Sequence, residues 1–310
     1  MTIAPPDLDL DLGDLSEAEW LARMDALGDE HGFWERLGPH HHALFVEAGK
    51  KLLVTFESIE GARRSPAGLP RGFDQVTRQG WSLLAILSHG ETFFRDPAVW
   101  RNFDRWTDDG FFEDFDQVLF VGTGAGGYAA AAFSVAAPGA RVLSFRPFAT
   151  LDPAVAGWDR RHPQARRRDW TSRYGYAPAM LDAADKAVVV HDPVATLDAM
   201  HASLFTRPNV VSLRAPFTGT RIDPMLDGMS ILPLMLDLAM DGTLDSRSFS
   251  RLWRRRRIHA PYLRALLKQC EAQGRRGLAA RVCRWGLKTV DRPLFARKLA
   301  EMGLAEPAAA

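Results

Sequence analysis

The chain of 310 residues contains only two cysteines, Cys270 and Cys283. They do not form a C-x-x-C pair, and two thiols cannot build the disulfide framework of a small secreted domain. A disulfide scaffold and a paired-cysteine redox or zinc motif are therefore excluded. Nothing beside either cysteine in the sequence predicts an activated thiolate, so both are predicted to be packing residues on helix faces.

Long apolar runs are also absent. No segment approaches the ~18 consecutive apolar residues that a transmembrane helix needs. The first residues, MTIAPPDLDLDLGD, are acidic and lack the basic segment that opens a signal peptide. These absences predict a cytoplasmic protein without a transmembrane segment.

The chain has almost no net charge, +1, but this sum hides an asymmetry. Residues 1–30 carry nine acids and one base, whereas residues 241–310 carry sixteen bases and six acids. The acidic beginning could fold back onto the basic end, or each could meet its own partner, a protein or an anionic ligand. Ordinary solvated faces with internal pairing would produce the same composition.

Short apolar runs separated by helix-length segments dominate the middle of the chain. Buried strands are predicted over residues 50–58, 81–88, 116–122, 140–147, 186–193 and 209–216. This alternation predicts an α/β protein with a mostly parallel sheet and helices on both faces. Ligands are expected beyond the carboxyl ends of the strands.

The two ends of the chain do not show the strand pattern of its middle. Residues 1–14 show no helical period and are predicted to be unstructured, whereas Ser16 and Glu19 form a capping box that begins an amphipathic helix. Beyond residue 224 only helical patterns remain, which predicts a C-terminal helical appendage with helices over about 225–240, 246–258, 261–273, 275–289 and 293–302. The predicted organisation is an acidic tail and helix over 1–30, an α/β domain over 31–240 and a basic helical region over 241–310.

The segment VLFVGTGAGGYAAAAF (118–133) reads as a buried strand, a glycine-rich turn and a helix of small residues. Its glycines fit G-x-G-x-x-G, the dinucleotide-binding fingerprint. Arg146 ends the next strand, where an acid would bind a ribose; an arginine suits a 2′-phosphate. The candidate ligand-binding residues are Gly122, Thr123, Gly124, Ala125, Gly126, Gly127 and Arg146. At least two strands precede this turn, however, whereas a dinucleotide-binding unit usually opens its domain.

The position of this turn, after at least two strands, favours a hydrolase elbow over a dinucleotide-binding turn. GTGAGGYAA (122–130) resembles the G-S-S-M-G-G-Y-A-A elbow of bacterial proteins in the α/β-hydrolase superfamily, some of them linked to capsule or surface-polysaccharide export. The resemblance covers about residues 40–235. It implies that Gly124 stands at the nucleophile, that Asp192 is the triad acid, and that Thr220, in FTGT, replaces the histidine.

A triad needs a nucleophile, a base and an orienting acid, and only the acid is present in this alignment. Loss of the nucleophile alone costs a factor of about 10⁶ in a serine-protease case. The sequence thus favours a non-catalytic pseudo-hydrolase with a binding or assembly role, while activity stays open. No cofactor is predicted. A nucleotide or phosphosulfate in the glycine turn is the enzymatic alternative.

A second resemblance concerns the segments AAPGARV, RYGYAPAMLDAA and LFTRPNV. Alphaproteobacterial sequences similar in these segments are sometimes labelled phosphoadenosine phosphosulfate reductase. The E-C-G-L-H-like cysteine segment of such an enzyme is missing, and Cys283 lies in ARVCRWG.

Two arginine-rich runs are candidate anion sites. They are Arg166, Arg167, Arg168 and Arg173 after the strand at 140–147, and Arg254, Arg255, Arg256 and Arg257 in a predicted helix. Four consecutive arginines cover every helix face, so some must be exposed, and peripheral contact with an anionic membrane is possible. Nucleic acid is disfavoured because few aromatic residues are interleaved for base stacking.

Metal binding is not predicted. The run of His40, His41 and His42 is the only cluster of histidines, and consecutive residues of a strand point to alternate faces, so the three cannot easily share one ion.

Overall fold

The computed structural model describes residues 10–290 and 293–304. Within them, eight strands form one sheet in the order β1-β2-β4-β3-β5-β6-β7-β8. Their bounds are Gly32–Arg36 (β1), His41–Val46 (β2), Lys51–Ser58 (β3), Ser82–Ser88 (β4), Gln117–Thr123 (β5), Arg141–Phe145 (β6), Lys186–His191 (β7) and Val210–Arg214 (β8). β2 pairs antiparallel with β1 and β4, and every other pairing is parallel.

The six predicted strands are confirmed as β3 to β8, each within a few residues. The runs of β3 to β7 are mostly apolar because both faces of these strands are covered, whereas the edge strand β8 exposes Ser212 and Arg214. β1 and β2 were missed. β1 is a short edge strand with partly exposed side chains, so it lacks a buried apolar run. β2 begins with two histidines, which shorten the apolar run that its later residues form. Four strands therefore precede the glycine turn, which agrees with the prediction of at least two.

Helices connect the parallel strands. In the first part they are Glu17–His31 (α1), Ile59–Arg63 (α2), Phe73–Gln79 (α3), Pro97–Asp108 (α4), Ala125–Phe133 (α5), Pro153–Ala156 (α6), Ala177–Met180 (α7) and Thr196–Ser203 (α8). After β8 follow Ile222–Gly228 (α9), Leu232–Met240 (α10), Ser246–Leu252 (α11), Ala260–Ala272 (α12), Arg276–Val290 (α13) and Pro293–Glu301 (α14). The mostly parallel sheet, its helical layers and the C-terminal helices confirm the predicted fold class.

Two predicted helices are interrupted. The helix expected over 225–240 divides into α9 and α10 at Ser230, whose φ is 53° and thus outside the helical region. The helix expected over 246–258 ends as α-helix at Leu252, and residues Trp253–Ile258 continue as a 3₁₀-helix.

Two apolar cores cover the two faces of the sheet. One contains α4 and α5 with the aromatic side chains of Phe56, Phe103 and Phe133. The other runs from Trp20 of α1 across the sheet to Phe295 of α14. The C-terminal helices therefore share an apolar core with the sheet.

The prediction of an unstructured start is wrong for residues 10–14, while residues 1–9 lie outside the described part. Leu12 is buried, and its backbone N–H donates to the carbonyl of Ala67. The predicted capping box is present: Ser16 and Glu19 exchange hydrogen bonds at the start of α1. Trp20 then anchors this helix, because its indole N–H donates to the Gly68 carbonyl at 2.6 Å.

Candidate functional site

The glycine turn joins β5 to α5. Gly124 lies between them with φ 61° and ψ −118°. A side chain is strained in this region of backbone space, which is where a hydrolase elbow holds its serine at the tip of a sharp strand-to-helix turn. Gly124 thus stands at the tip of a sharp strand-to-helix turn and has no side chain to present there.

The neighbouring glycines are required by packing. A Cβ at Gly122 would approach the Gly126 carbonyl, and one at Gly126 the Phe56 carbonyl, each to less than 3.0 Å. A Cβ at Gly127 would stand 2.8 Å from the Phe145 carbonyl oxygen. These glycines let α5 lie directly on β3, β5 and β6. Close backbone approach therefore requires glycine at these three positions.

Arg146 lies over the tip of the turn. It follows β6 with φ 48°, and its N–H donates to the Val190 carbonyl at 2.7 Å, which ties this turn to β7. A guanidinium nitrogen of Arg146 stands 3.2 Å from the place of a Cβ at Gly124. The side chain is mostly buried, and its Nε lies 3.8 Å from an Asp198 oxygen. A cation therefore borders the space that a nucleophile side chain would occupy.

Asp192 and the Thr220 segment meet beyond β7 and β8. One carboxylate oxygen of Asp192 accepts the N–H of Val194 at 2.9 Å, and the other accepts the N–H of Gly219 at 2.8 Å. Thr220 itself is exposed in a short 3₁₀-helix. The buried acid therefore fixes the backbone of the loop that would carry a catalytic histidine.

A cleft of about 450 Å³ opens beside the elbow. Its lining includes Glu57 and Ser58 at the end of β3, Thr123 and Ala125 at the elbow, and Asp223 of α9. β3 and β5 are adjacent in the sheet, but β4 lies on the far side of β3. The chain thus reverses direction across the sheet between these strands, and such a switch point is where open α/β sheets bind ligands.

The cleft contains a polar cluster that sequence reasoning missed. The Thr123 hydroxyl donates to Asp223 at 2.7 Å, and Asp223 pairs with Arg71, also at 2.7 Å. Glu57 accepts the backbone N–H of Arg71 at 2.6 Å. Burial raises the pKa of Glu57 above its ordinary value. Thr123 and Asp223 are 100 residues apart, so no local motif links them.

A second network, also missed, supports Arg146. Arg161 pairs with Asp159 at 2.8 Å and with Asp198 at 2.6 Å, and His201 contacts Asp159 at 2.9 Å. Burial opposes ionisation of Asp159, but hydrogen bonds from Arg161 and His201 outweigh it and lower its pKa. Burial lowers the pKa of His201. Because the Ala149 N–H donates to Nδ1 of His201, its Nε2 carries the proton donated to Asp159.

The predicted anion site over 166–173 is divided among different contacts. Arg166 donates to the carbonyls of Ala156 and Asp159, and Arg173 pairs with Asp104. Arg168 is half-buried and Arg167 is exposed. Two of the four arginines therefore make internal contacts.

The second predicted arginine cluster lies in the 3₁₀-helix after α11. Arg254, Arg255 and Arg257 are exposed and Arg256 is half-buried. Arg255 donates to the carbonyls of Met229 and Ser230, and Arg256 to that of Trp253. The described ion pairs of the acidic beginning stay within the first part of the chain: Glu17 contacts Arg63 and His89, and Glu30 contacts His31. No ion pair joins residues 10–30 to the described residues beyond 240.

The histidine run and the cysteines are accounted for by packing. His41 is buried against Thr92, with Nε2 and Oγ1 2.7 Å apart, whereas His42 stacks on Trp34. Cys270 and Cys283 are buried and unpaired. Among residues 10–290 and 293–304, no three His, Cys, Asp or Glu side chains are grouped to hold a metal, and no helix is long and apolar enough to cross a membrane.

Comparisons with known proteins find resemblance at low identity. No family model matches the chain, and the search of curated proteins finds no match. The capsule O-acetyltransferase of Neisseria meningitidis serogroup A aligns at 11% identity over 59% of this chain and 86% of that chain, with a TM-score of 0.40. A brefeldin A esterase aligns at 12% over 82% and 90%, with a TM-score of 0.43. A Pyrobaculum calidifontis esterase aligns at 15% over 77% and 94%, with a TM-score of 0.42.

These scores carry no functional argument, and the reductase label finds no support among them. The fold assignment rests on the chain's own features. These are the strand order, the antiparallel β2 in an otherwise parallel sheet, and the sharp turn that joins β5 to a helix. This is an α/β-hydrolase-like fold, with glycine at the tip of its elbow.

Proposed function

We propose that this protein is a non-catalytic α/β-hydrolase-like protein whose elbow binds the anionic group of a ligand. One observation carries the proposal: Gly124 has the backbone of a nucleophile position, and the Arg146 guanidinium borders the place of the missing side chain. Without a nucleophilic hydroxyl, and with a cation beside its place, this turn would bind an anionic group of a ligand and would not attack a substrate.

The surrounding residues support the loss of triad chemistry. Without a hydroxyl at Gly124, the elbow offers no atom for acyl transfer. The Asp192 oxygens already accept two backbone N–H groups, and Thr220 supplies no base. Asp192 then has a structural role, holding the loops after β7 and β8 together.

An anion would find donors on two sides. The first backbone amides of α5, at Ala125 and Gly126, have no acceptor within their own helix, and the cleft reaches both residues. Such amides favour negative charge at a helix N-terminus. Arg146 would add charge-assisted hydrogen bonds to a carboxylate, sulfate or phosphate. The resemblance of the elbow to proteins linked to surface-polysaccharide export makes acidic saccharides the first ligands to test.

Two measurements test this proposal. A serine-directed fluorophosphonate probe is expected not to label the protein, and labelling at any serine would contradict the non-catalytic assignment. Acidic oligosaccharides and inorganic sulfate are expected to raise the melting temperature of the wild type but not of Arg146→Gln. Arg167→Gln is the matched control, since Arg167 is exposed, whereas Arg146 lies beside Gly124. Equal shifts in both variants would exclude Arg146 as the anion ligand.

A nucleotide is the second candidate, because the cleft lies at the switch point of the sheet, where nucleotides bind in other α/β folds. The same melting assay with NAD, NADP, S-adenosylmethionine and phosphoadenosine phosphosulfate separates the two. A shift with one of these, lost in Arg146→Gln, would favour the nucleotide. Shifts with acidic saccharides alone would favour the first proposal.

A further inference from the structure

The C-terminal helices carry an exposed face that the elbow site does not use. Three apolar side chains on it are unusually exposed: Ile258 at 62%, Trp285 at 44% and Leu278 at 42%. Each of these side chains has an exposed arginine within three residues of it in the sequence: Arg257, Arg281 and Arg284. We call this set the Trp285 face.

Two local geometries place these residues together. Leu278, Arg281 and Trp285 follow the three- and four-residue spacing of one helix side on α13. The Trp285 indole N–H donates to the Arg257 carbonyl at 2.6 Å, which joins α13 to the 3₁₀-helix ending at Ile258. In a 3₁₀-helix, residues i and i+3 eclipse, so Arg254 lies on the same side as Arg257.

The segment that carries this face has charge of almost one sign. Residues 246–290 contain thirteen Lys and Arg against one acid, Glu271. Glu271 pairs with Lys298 of α14. No ion pair neutralises any of the thirteen bases within the described part of the chain. The face therefore combines uncompensated positive charge with exposed apolar side chains.

We propose that the Trp285 face docks on an anionic membrane surface. Basic side chains would contact lipid headgroups, while Trp285, Ile258 and Leu278 enter the interfacial layer, where tryptophan is enriched. Aliphatic side chains as exposed as Ile258 and Leu278 contribute nothing to base stacking, and Trp285 is the one exposed aromatic ring there. The mixture fits a lipid surface better than nucleic acid.

Vesicle flotation of the full chain tests this proposal. Vesicles rich in phosphatidylglycerol are expected to bind the wild type, and phosphatidylcholine vesicles are not. Arg257→Gln/Arg281→Gln/Arg284→Gln is expected to lower partitioning about a hundredfold, from the loss of three headgroup contacts. Ile258→Ser is expected to lower it about tenfold. This residue is largely exposed, so the folded state should tolerate the change.

Matched controls come from other surfaces. Arg64→Gln/Arg78→Gln/Arg167→Gln removes the same number of exposed arginines, and Leu234→Ser removes an apolar side chain that is 38% exposed. Both controls are expected to bind as the wild type does, and circular dichroism confirms that each variant is folded. Equal losses in controls and face variants would overturn the proposal. So would binding of a single-stranded DNA oligonucleotide without binding to anionic vesicles.

Discussion

At the scale of single residues, glycine controls the elbow. Gly124 allows a backbone geometry that strains any other residue, and Gly122, Gly126 and Gly127 allow α5 to touch its strands. The turn therefore has a sharp strand-to-helix shape with no side chain at its tip. The Arg146 guanidinium stands beside this tip, where we propose that it binds an anion.

Gly126→Ala tests the packing role. Its Cβ would press on the Phe56 carbonyl, so we expect a loss of about 1–3 kcal/mol in the free energy of unfolding. Gly277→Ala is the control, since a Cβ there meets nothing within 4 Å in α13, and we expect about 0.5–1 kcal/mol of stabilisation. Urea unfolding measures both. A neutral Gly126→Ala would show that the helix can move away from the sheet.

His41 makes stability depend on pH. Burial lowers its pKa to about 4 from 6.5. Between these values the unfolded chain binds a proton that the folded chain does not, so stability falls as the pH falls through this window. We expect a loss of about 3 kcal/mol from this residue.

His41→Gln keeps a polar group near Thr92 but does not titrate. Its unfolding free energy should change less between pH 6.5 and 4 than that of the wild type. Substitution of the exposed His40 by glutamine should leave the wild-type dependence in place. If His41→Gln shows the wild-type slope, another group is responsible.

At the scale of elements, Arg95 fixes the segment over residues 160–176 against α4 and α5. Its buried guanidinium donates to the carbonyls of Asp169 and Arg173 and lies 4.2 Å from the centre of the Trp100 ring. The adjacent Phe93 and Phe94 have φ of 52° and 56°. Such backbone persists only where surrounding contacts enforce it.

Arg95→Gln removes these contacts and leaves carbonyls without donors. We expect about 2–4 kcal/mol of destabilisation. We also expect faster tryptic cleavage at Arg166, Arg167 and Arg168. Arg101→Gln, on the exposed side of α4, is the control and should cleave at the wild-type rate. Unchanged cleavage in Arg95→Gln would mean that other contacts hold the segment.

At the scale of the whole molecule, one apolar core runs from α1 through the sheet to α14. The predicted boundary near residue 241 crosses this core and stays a prediction. A shared core favours one cooperative unfolding transition, whereas an independent helical domain would unfold in its own step.

Phe295→Ala tests this cooperativity. The side chain is fully buried in α14, and its loss should cost about 3–5 kcal/mol. The sheet and the C-terminal helices should then unfold together at a lower urea concentration, in both fluorescence and far-ultraviolet circular dichroism. Leu278→Ala, on the exposed side of α13, should change stability by less than about 0.5 kcal/mol. Two separate transitions would instead show that the C-terminal helices form a domain of their own.

The sequence by itself determined the strands β3 to β8, most helices, and the strand, turn and helix around Gly124. Unbroken apolar runs and helical spacing are local signals, and a glycine-rich turn after a strand is one as well. Local sequence patterns did not predict the features that depend on contacts with other parts of the chain. β1 and β2 are held at the sheet edge by pairing, and Ser230 divides a helix that the apolar pattern continues.

Only the tertiary structure decided which distant residues meet at the elbow. Thr123 contacts Asp223 across 100 residues, and no sequence motif predicts this contact because packing of the whole chain fixes it. Arg146 was already a candidate from the sequence, since it ends the strand after the turn, and it lies beside Gly124 because β6 pairs with β5. Local sequence thus indicated the shape of the turn and a cation near it, whereas contacts between residues far apart in the chain depended on the packing of the fold.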